Sequence, residues 1–279
     1  MSQPLPTRRE EAWRYADLDA VAKLWPLPEA EHIVVPAGGA WTRSIVQDTG
    51  GIRQITMSLG AGAVASLHVL NIGGDYGRIE LDVTLHAGAD FTLGAAQIGG
   101  DTQTLEIVTT VTHAEPDATS RQTVRSVLGG HATGTYLGKV AVARGAQHTD
   151  SEQSVKAMLL DRTATANAKP ELEIFADDVK CAHGCAIGEL DAMGLFYLQS
   201  RGVPRRTAQA LLVLAQHQTE EVFAVLTQHL RLRELDGKYV LQDKIGSGGS
   251  GVASGSVSGF GSVIVDGVEY DDSSATRDT

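Results

Sequence analysis

Turn-like words punctuate the middle of this chain at a spacing of about 26 to 29 residues: Ala61-Gly62-Ala63, Ala87-Gly88-Ala89, Glu115-Pro116-Asp117 and Arg144-Gly145-Ala146. A repeat of that length points to a solenoid. Between the words run short segments of alternating apolar and polar residues: Ile52–Leu59, Ala65–Ile72, Ile79–Leu85, Leu105–Val111, Val124–Leu128, Tyr136–Ala143 and Ser154–Leu160. Period-2 alternation marks strands with one buried face. No amphipathic helix separates these runs, so a βαβ fold is excluded. A β-sandwich has similar strand spacing, but the repeat decides for a solenoid, whose rungs bury their inward faces only by stacking. Ile79-Glu80-Leu81-Asp82-Val83-Thr84-Leu85, followed by the corner Ala87-Gly88-Ala89-Asp90, shows the expected division of apolar interior and small corner.

The fold expected is mainly β: a β-solenoid core at 31–190, preceded by an N-terminal helix in 1–30 and followed by a helical subdomain at 191–244. Residues 7–25 read as that first helix. Thr7 is its cap, Glu10 and Glu11 suit its first turn, and Trp13, Leu18, Val21, Leu24 and Trp25 form its apolar stripe. Pro26 and Pro28 stop it. Three further helices are expected: Asp191 to Arg201 ended by Gly202, one opening at Pro204, and one capped by Thr219. Residues 245–279 form a Gly/Ser-rich appendage, disordered or a lone hairpin around Asp266-Gly267.

Charge and cysteine usage narrow the function. A formal charge of −11 argues against nucleic-acid binding, which needs a basic face. No apolar run reaches a membrane span, and the first fifteen residues hold no signal-like apolar core. Two cysteines four positions apart make a poor disulfide framework. The expectation is a soluble cytoplasmic protein with reduced thiols. There is no phosphate-binding Gly-x-x-x-x-Gly-Lys-Ser/Thr word and no Gly-x-Ser-x-Gly elbow, so nucleotide hydrolysis must come from another chain.

Both cysteines lie in Lys169–Gly202, KPELEIFADDVKCAHGCAIGELDAMGLFYLQSRG, which begins as strand and ends as helix. Asp177-Asp178 breaks the strand, and Cys181, His183 and Cys185 follow it near a β-to-α transition. Thiolate and imidazole ligate iron–sulfur clusters, zinc and soft metals. If the segment stays extended, positions i, i+2 and i+4 share one face, giving three candidate ligands with an open coordination shell. The bland alternative makes the cysteines small packing residues. A Cys–His acyl-transfer pair is disfavoured, because side chains two apart on one strand do not readily hydrogen-bond as nucleophile and base. His68, His86, His113, His131 and His148 recur along the repeat, but each reads first as a surface or hydrogen-bonded imidazole.

The same segment resembles the signature of the SufB/SufD family of iron–sulfur cluster assembly proteins, which reads roughly K-P-x-L-E-I-[FY]-A-D-D-V-x-C-x-H-G, then G-x-[LI]-D, then F-Y-L-x-S-R-G. Every element stands here, from Lys169-Pro170 to Ser200-Arg201-Gly202. The short chain and the N-terminal REEAWRYADLD set the resemblance nearer SufD than SufB. The resemblance implies a β-helix scaffold subunit, not an enzyme, that pairs with SufB through the solenoid edge and docks the SufC ATPase through its C-terminal helices. It implies a transient iron–sulfur cluster at the subunit interface, with Cys181 and His183 at the site; Cys185 falls at a variable position. It permits a flavin in the complex, and a homodimer where SufB is absent. The run Gln216-His217-Gln218-Thr219 departs from the family tail, which bears on SufC docking. The rival reading is a free-standing metal-binding or carbohydrate-active solenoid, for which Asp177 and Asp178 are the nearest carboxylate pair.

Overall fold

A computed structural model describes residues 4–205, 207–209 and 212, together with five short strands between 232 and 271. The chain divides into two units, Met1–Ala192 and Met193–Thr279.

The first unit is the expected solenoid. One sheet stacks β1 (Glu31–Val35), β3 (Gly51–Leu59), β5 (Tyr76–Leu85), β7 (Thr104–His113), β9 (Thr133–Val142) and β11 (Thr165–Ile174) in that order. The facing sheet stacks β2 (Ala40–Gln47), β4 (Val64–Asn71), β6 (Asp90–Gly99), β8 (Thr119–Leu128), β10 (Asp150–Leu159) and β12 (Lys180–Glu189). Every pairing in both sheets is parallel. One inward column of the first sheet runs Ile55, Leu81, Thr109, Gly138, Pro170, so the interval lengthens toward the C-terminal rungs.

Alternation places Leu67, Leu93 and Phe91 inside, each 1% exposed or less, where they share one core with Ile55, Leu81 and Val83. Corners stack as well. The N–H of Gly38 donates to the Ala61 carbonyl, Gly62 to Ala87, Gly88 to Pro116, Asp117 to Gln147 and His148 to Asp178. Gly62 and Gly88 both adopt φ +65, and Asp117 and His148 take the same left-handed turn in later rungs. The turn words of the sequence are therefore one continuous corner ladder.

Five strands of this core, β1, β2, β6, β11 and β12, were not among the alternating runs, and of these only β11 was read as strand, at the start of Lys169–Gly202. β6 escapes because Ala95 and Ala96 are both buried and interrupt the period. β1 and β2 belong to the first rung, whose outward positions are exposed.

The N-terminal segment departs from the single helix expected at 7–25. It forms a 3-10 turn at Glu11–Trp13 and a separate short helix, α1, at Leu18–Lys23. Asp17 is the reason: its carboxylate accepts from the N–H groups of Asp19 and Ala20, so it starts a new helix and does not continue an old one. The break turns Trp13, Ala16 and Val21 onto Ile52 and Tyr76 of the first sheet. Beneath Trp13 lies Arg78, 1% exposed, with its guanidinium carbon 3.8 Å from the indole centroid. It ion-pairs with Glu106, which is fully buried, and with Glu80, and donates to the Ala12 carbonyl at 2.7 Å. Further along the sheet, Lys169 Nζ meets Glu11 Oε1 at 2.6 Å, so the family-like Lys169 is engaged by the N-terminal segment.

In the second unit, α2 (Ala192–Ser200) starts directly after Asp191, as expected. Gly202 (φ +88) ends it, with the Val203 N–H donating to the Leu198 carbonyl. The Ala208 N–H donates to the Pro204 carbonyl, which begins the next helix. The helix expected from Thr219 lies outside the described residues. Part of the helical reading for 191–244 is corrected: β13 (Leu232–Leu235) and β14 (Lys238–Leu241) are antiparallel strands. The sequence Asp236-Gly237 between them is a hairpin signal that the helical reading passed over. β16 (Ser262–Val265) and β17 (Val268–Asp271) pair as the anticipated hairpin, but not a lone one. With β15 (Ser256–Ser258) they complete the order β13-β14-β15-β16-β17. Among the described residues, no helix is long and apolar enough to cross a membrane.

Candidate functional site

Sequence reasoning saw a β-to-α transition at the cysteines; the fold instead interposes a full strand, β12, between the Asp177-Asp178 corner and α2. β12 pairs with β10 in a register that sets Ser151 beside Cys181, Gln153 beside His183 and Val155 beside Cys185. Ser151, Gln153 and Val155 are at most 2% exposed and face the interior. Cys181, His183 and Cys185 therefore occupy the inward face of the last rung. Among the described residues no strand stacks beyond it, so positions that are core in β4, β6, β8 and β10 are open here: Cys181 is half-buried, and His183 and Cys185 are exposed. The packing alternative for Cys185 does not hold in this arrangement.

Extension along a strand also limits what the three can do together. At roughly 3.3 Å rise per residue, successive members of the set stand about 7 Å apart and the outer two about 13 Å. They cannot close on one ion, and among the described residues no three His, Cys, Asp or Glu side chains are placed to hold a metal. Each can instead offer one donor to a group presented from outside. The Cys181 thiol packs beside the Val142, Ala146 and Ala176 cluster. Burial, reinforced by Asp150, pushes its pKa up; burial alone raises that of Cys185. Neither is an activated nucleophile, since activation requires a depressed pKa.

Behind this face the solenoid interior turns polar. His113, fully buried, has Nε2 at 2.9 Å from Ser120 Oγ, which lies 2.9 Å from Ser151 Oγ, the register neighbour of Cys181. In the adjoining columns Tyr136 crosses the core over Gly138. Its hydroxyl lies 3.0 Å from Thr109 Oγ1, donates to Gln122 Oε1 at 3.4 Å and accepts from Gln153 Nε2 at 3.4 Å. His113 was read as a surface or hydrogen-bonded imidazole, and the hydrogen bond is found; sequence reasoning missed the others. Their signal was present: Ser120, Gln122, Ser151 and Gln153 occupy inward positions where the alternation calls for apolar side chains.

Burial lowers the His113 pKa from 6.5 to about 4, against a smaller upward pull from the Ala118 backbone and Asp150. Above pH 6.5 the folded and unfolded states are both neutral and the full stability is present. Between 6.5 and about 4 the unfolded chain takes a proton that the folded chain refuses, so stability falls; below that both are charged and the loss stops. The shift corresponds to about 3 kcal/mol. Urea unfolding at pH 7.5 and pH 4.5 is expected to show this slope, and His113→Gln to flatten it; equal slopes in both proteins would refute the assignment.

Among the described residues, the remaining histidines join no group of three ligand-type side chains that could hold a metal. His86 Nδ1 faces Glu115 at 3.1 Å, and His148 lies between Asp117 at 3.0 Å and Asp178 at 3.3 Å along the corner ladder. Asp178 also takes Gln147 Oε1 on its N–H, so Asp177-Asp178 is a stacked corner, not an acid/base pair. A cleft of about 320 Å³ beside Ala12 and Trp13 is lined by Gln54, Glu80 and Asp82 and by no basic residue. It does not suit a phosphate-bearing flavin.

Residues 33–216 match the family model described as "SUF system FeS cluster assembly, SufBD core domain". The chain is similar to the iron–sulfur cluster assembly protein SufD of Escherichia coli K12, 35% identical over 107 residues, which are 38% of this chain and 25% of that protein. It is 43% identical over 100 residues to the chloroplastic protein ABCI7 of Arabidopsis thaliana, covering 35% of this chain and 21% of the relative. To SufD of Bacillus subtilis it is 32% identical over 87 residues, 31% of this chain and 20% of that one. The chain thus spans a quarter or less of the length of these curated relatives.

Proposed function

Since this chain belongs to the SufB/SufD family of the SUF iron–sulfur cluster assembly system, we propose that it is a non-catalytic SufD-type scaffold subunit working in the cytoplasm. It pairs with SufB across the open rung and docks SufC through its C-terminal segment. The nascent cluster is cargo, not a resident cofactor, and this chain lends it His183 and Cys181, with Cys185 further out on the same face.

The observation that carries the reading is the terminal rung itself. Among the described residues nothing caps this parallel edge; such an edge is unstable toward association, and pairing with a second solenoid would cover it. The donors on that face are spaced for a site completed by another chain. Their raised thiol pKa values fit this, since ligation would release a proton only when metal arrives.

The test is anaerobic co-purification with SufB and SufC, for the intact chain and for His183→Ala. The complex is expected to survive the substitution, while reconstituted cluster absorbance falls by roughly tenfold or more. Normal cluster assembly by the mutant complex would remove His183 from the site, and failure of the intact chain to form a complex would refute the scaffold role.

A further inference from the structure

We propose that Gln153 is the positioning residue for His183: its side-chain carbonyl accepts the imidazole N–H and so presents the other ring nitrogen outward. This deepens the scaffold reading and rests on it for the ligand role of His183. Gln153 and His183 are register partners on parallel strands, with strand spacing of about 4.8 Å, and both project to the inward side. Gln153 is 1% exposed, yet its Oε1 has no hydrogen-bond partner. A buried amide oxygen left unpaired keeps its full desolvation cost, so a donor within reach is strongly favoured.

The network fixes which end of the amide is free. The Tyr136 hydroxyl has one proton to give, and Thr109 Oγ1 at 3.0 Å or Gln122 Oε1 at 3.4 Å takes it. Toward Gln153 the hydroxyl can therefore only accept, which requires Nε2 on that side and leaves Oε1 to face elsewhere. Neither column neighbour bonds Gln153 Oε1 in this structure; Gln122 already has its Oε1 engaged by Thr109 and Tyr136 and holds its Nε2 within the buried core, whereas His183 is exposed and can turn its ring toward the amide. His183 carries a ring N–H in either neutral tautomer. An N–H held by a carbonyl sets ring orientation and tautomer, as it does behind most metal-bound imidazoles.

The experiment reads the tautomer directly. The full chain, labelled with 15N-histidine, is examined at pH 8 by long-range 15N–1H correlation, with His183→Ala identifying the His183 signals. The intact protein is expected to show one His183 tautomer. Gln153→Met, which keeps the volume and removes the acceptor, is expected to give a mixture; Gln153→Glu, which keeps an acceptor, is expected to restore the single form. Tyr136→Phe, which frees the amide from its anchor without emptying the core, gives a second reading should Gln153→Met fold poorly, and is expected to blur the tautomer as well. An unchanged tautomer in Gln153→Met, or in Tyr136→Phe where that is the folded variant, overturns the proposal. Cluster absorbance in the co-purified complex separates the two claims. If Gln153→Met scrambles the tautomer while His183→Ala assembles clusters normally, the positioning contact stands and the ligand role falls.

Discussion

Replacing Arg78 with alanine is expected to cost about 3–5 kcal/mol, a large fraction of the stability of an ordinary domain. Arg78 is 1% exposed and is the cation against which Glu106, fully buried, is balanced. The Tyr76 hydroxyl also donates to Glu106 at 2.9 Å, but a neutral donor cannot replace a charge. Removing one member of a buried pair strands the other, which is far more costly than never having built the pair. The N-terminal segment should loosen in the same variant, because Arg78 also donates to the Ala12 carbonyl and lies under the Trp13 ring. Two measurements check this. The urea midpoint should fall, and cleavage by trypsin at Arg8, Arg9 and Arg14 should become rapid under native conditions. The double variant Arg78→Met with Glu106→Leu is expected to regain most of the stability but not the protease resistance. A loss below about 1 kcal/mol for Arg78→Ala would mean that the pair is balanced by something other than charge.

The second large effect is expected at Gly138. A Cβ there would sit 2.2 Å from the Tyr136 hydroxyl oxygen, and Tyr136 is 1% exposed with nowhere to retreat. Gly138→Ala should therefore push the ring off its path and break its contacts with Thr109, Gln122 and Gln153 together. Overpacking and lost hydrogen bonds combine to about 2–4 kcal/mol. Tyr136→Phe, which loses the hydroxyl but keeps the ring, should cost about 1 kcal/mol. Comparing the two by chemical denaturation separates steric from polar contributions. If the alanine variant proves no worse than the phenylalanine one, the crossing of Tyr136 over Gly138 is not the packing constraint inferred here.

How far the sequence reached can be judged from particular residues. Gly62 and Gly88 announced the corners because a left-handed turn favours a residue without Cβ, and that preference is local. Ile79 to Leu85 announced a strand because alternation is local too. Cys181, His183 and Cys185 could be placed on one face by the same rule, once extension was assumed. β6 was lost where Ala95 and Ala96 blur the period, and β12 where a Gly-rich, Cys-containing run lacks the alternation of a strand. The N-terminal helix was drawn too long because Trp13 fits a helical stripe, while the cap at Asp17 and the pull of Arg78 on the indole become apparent only when the segments meet.

By itself the sequence determined the repeat, the hand-off from strand to helix before Gly202, and the family-like signature around Cys181, since each follows from neighbours along the chain. The tertiary structure decided what those neighbours could not. Stacking order makes β12 the last rung, so identical inward positions are buried at Ser151 and Gln153 and open at Cys181 and His183. Whether a strand residue is core or site depends on whether another strand lies above it. That is a property of the stack, not of the strand.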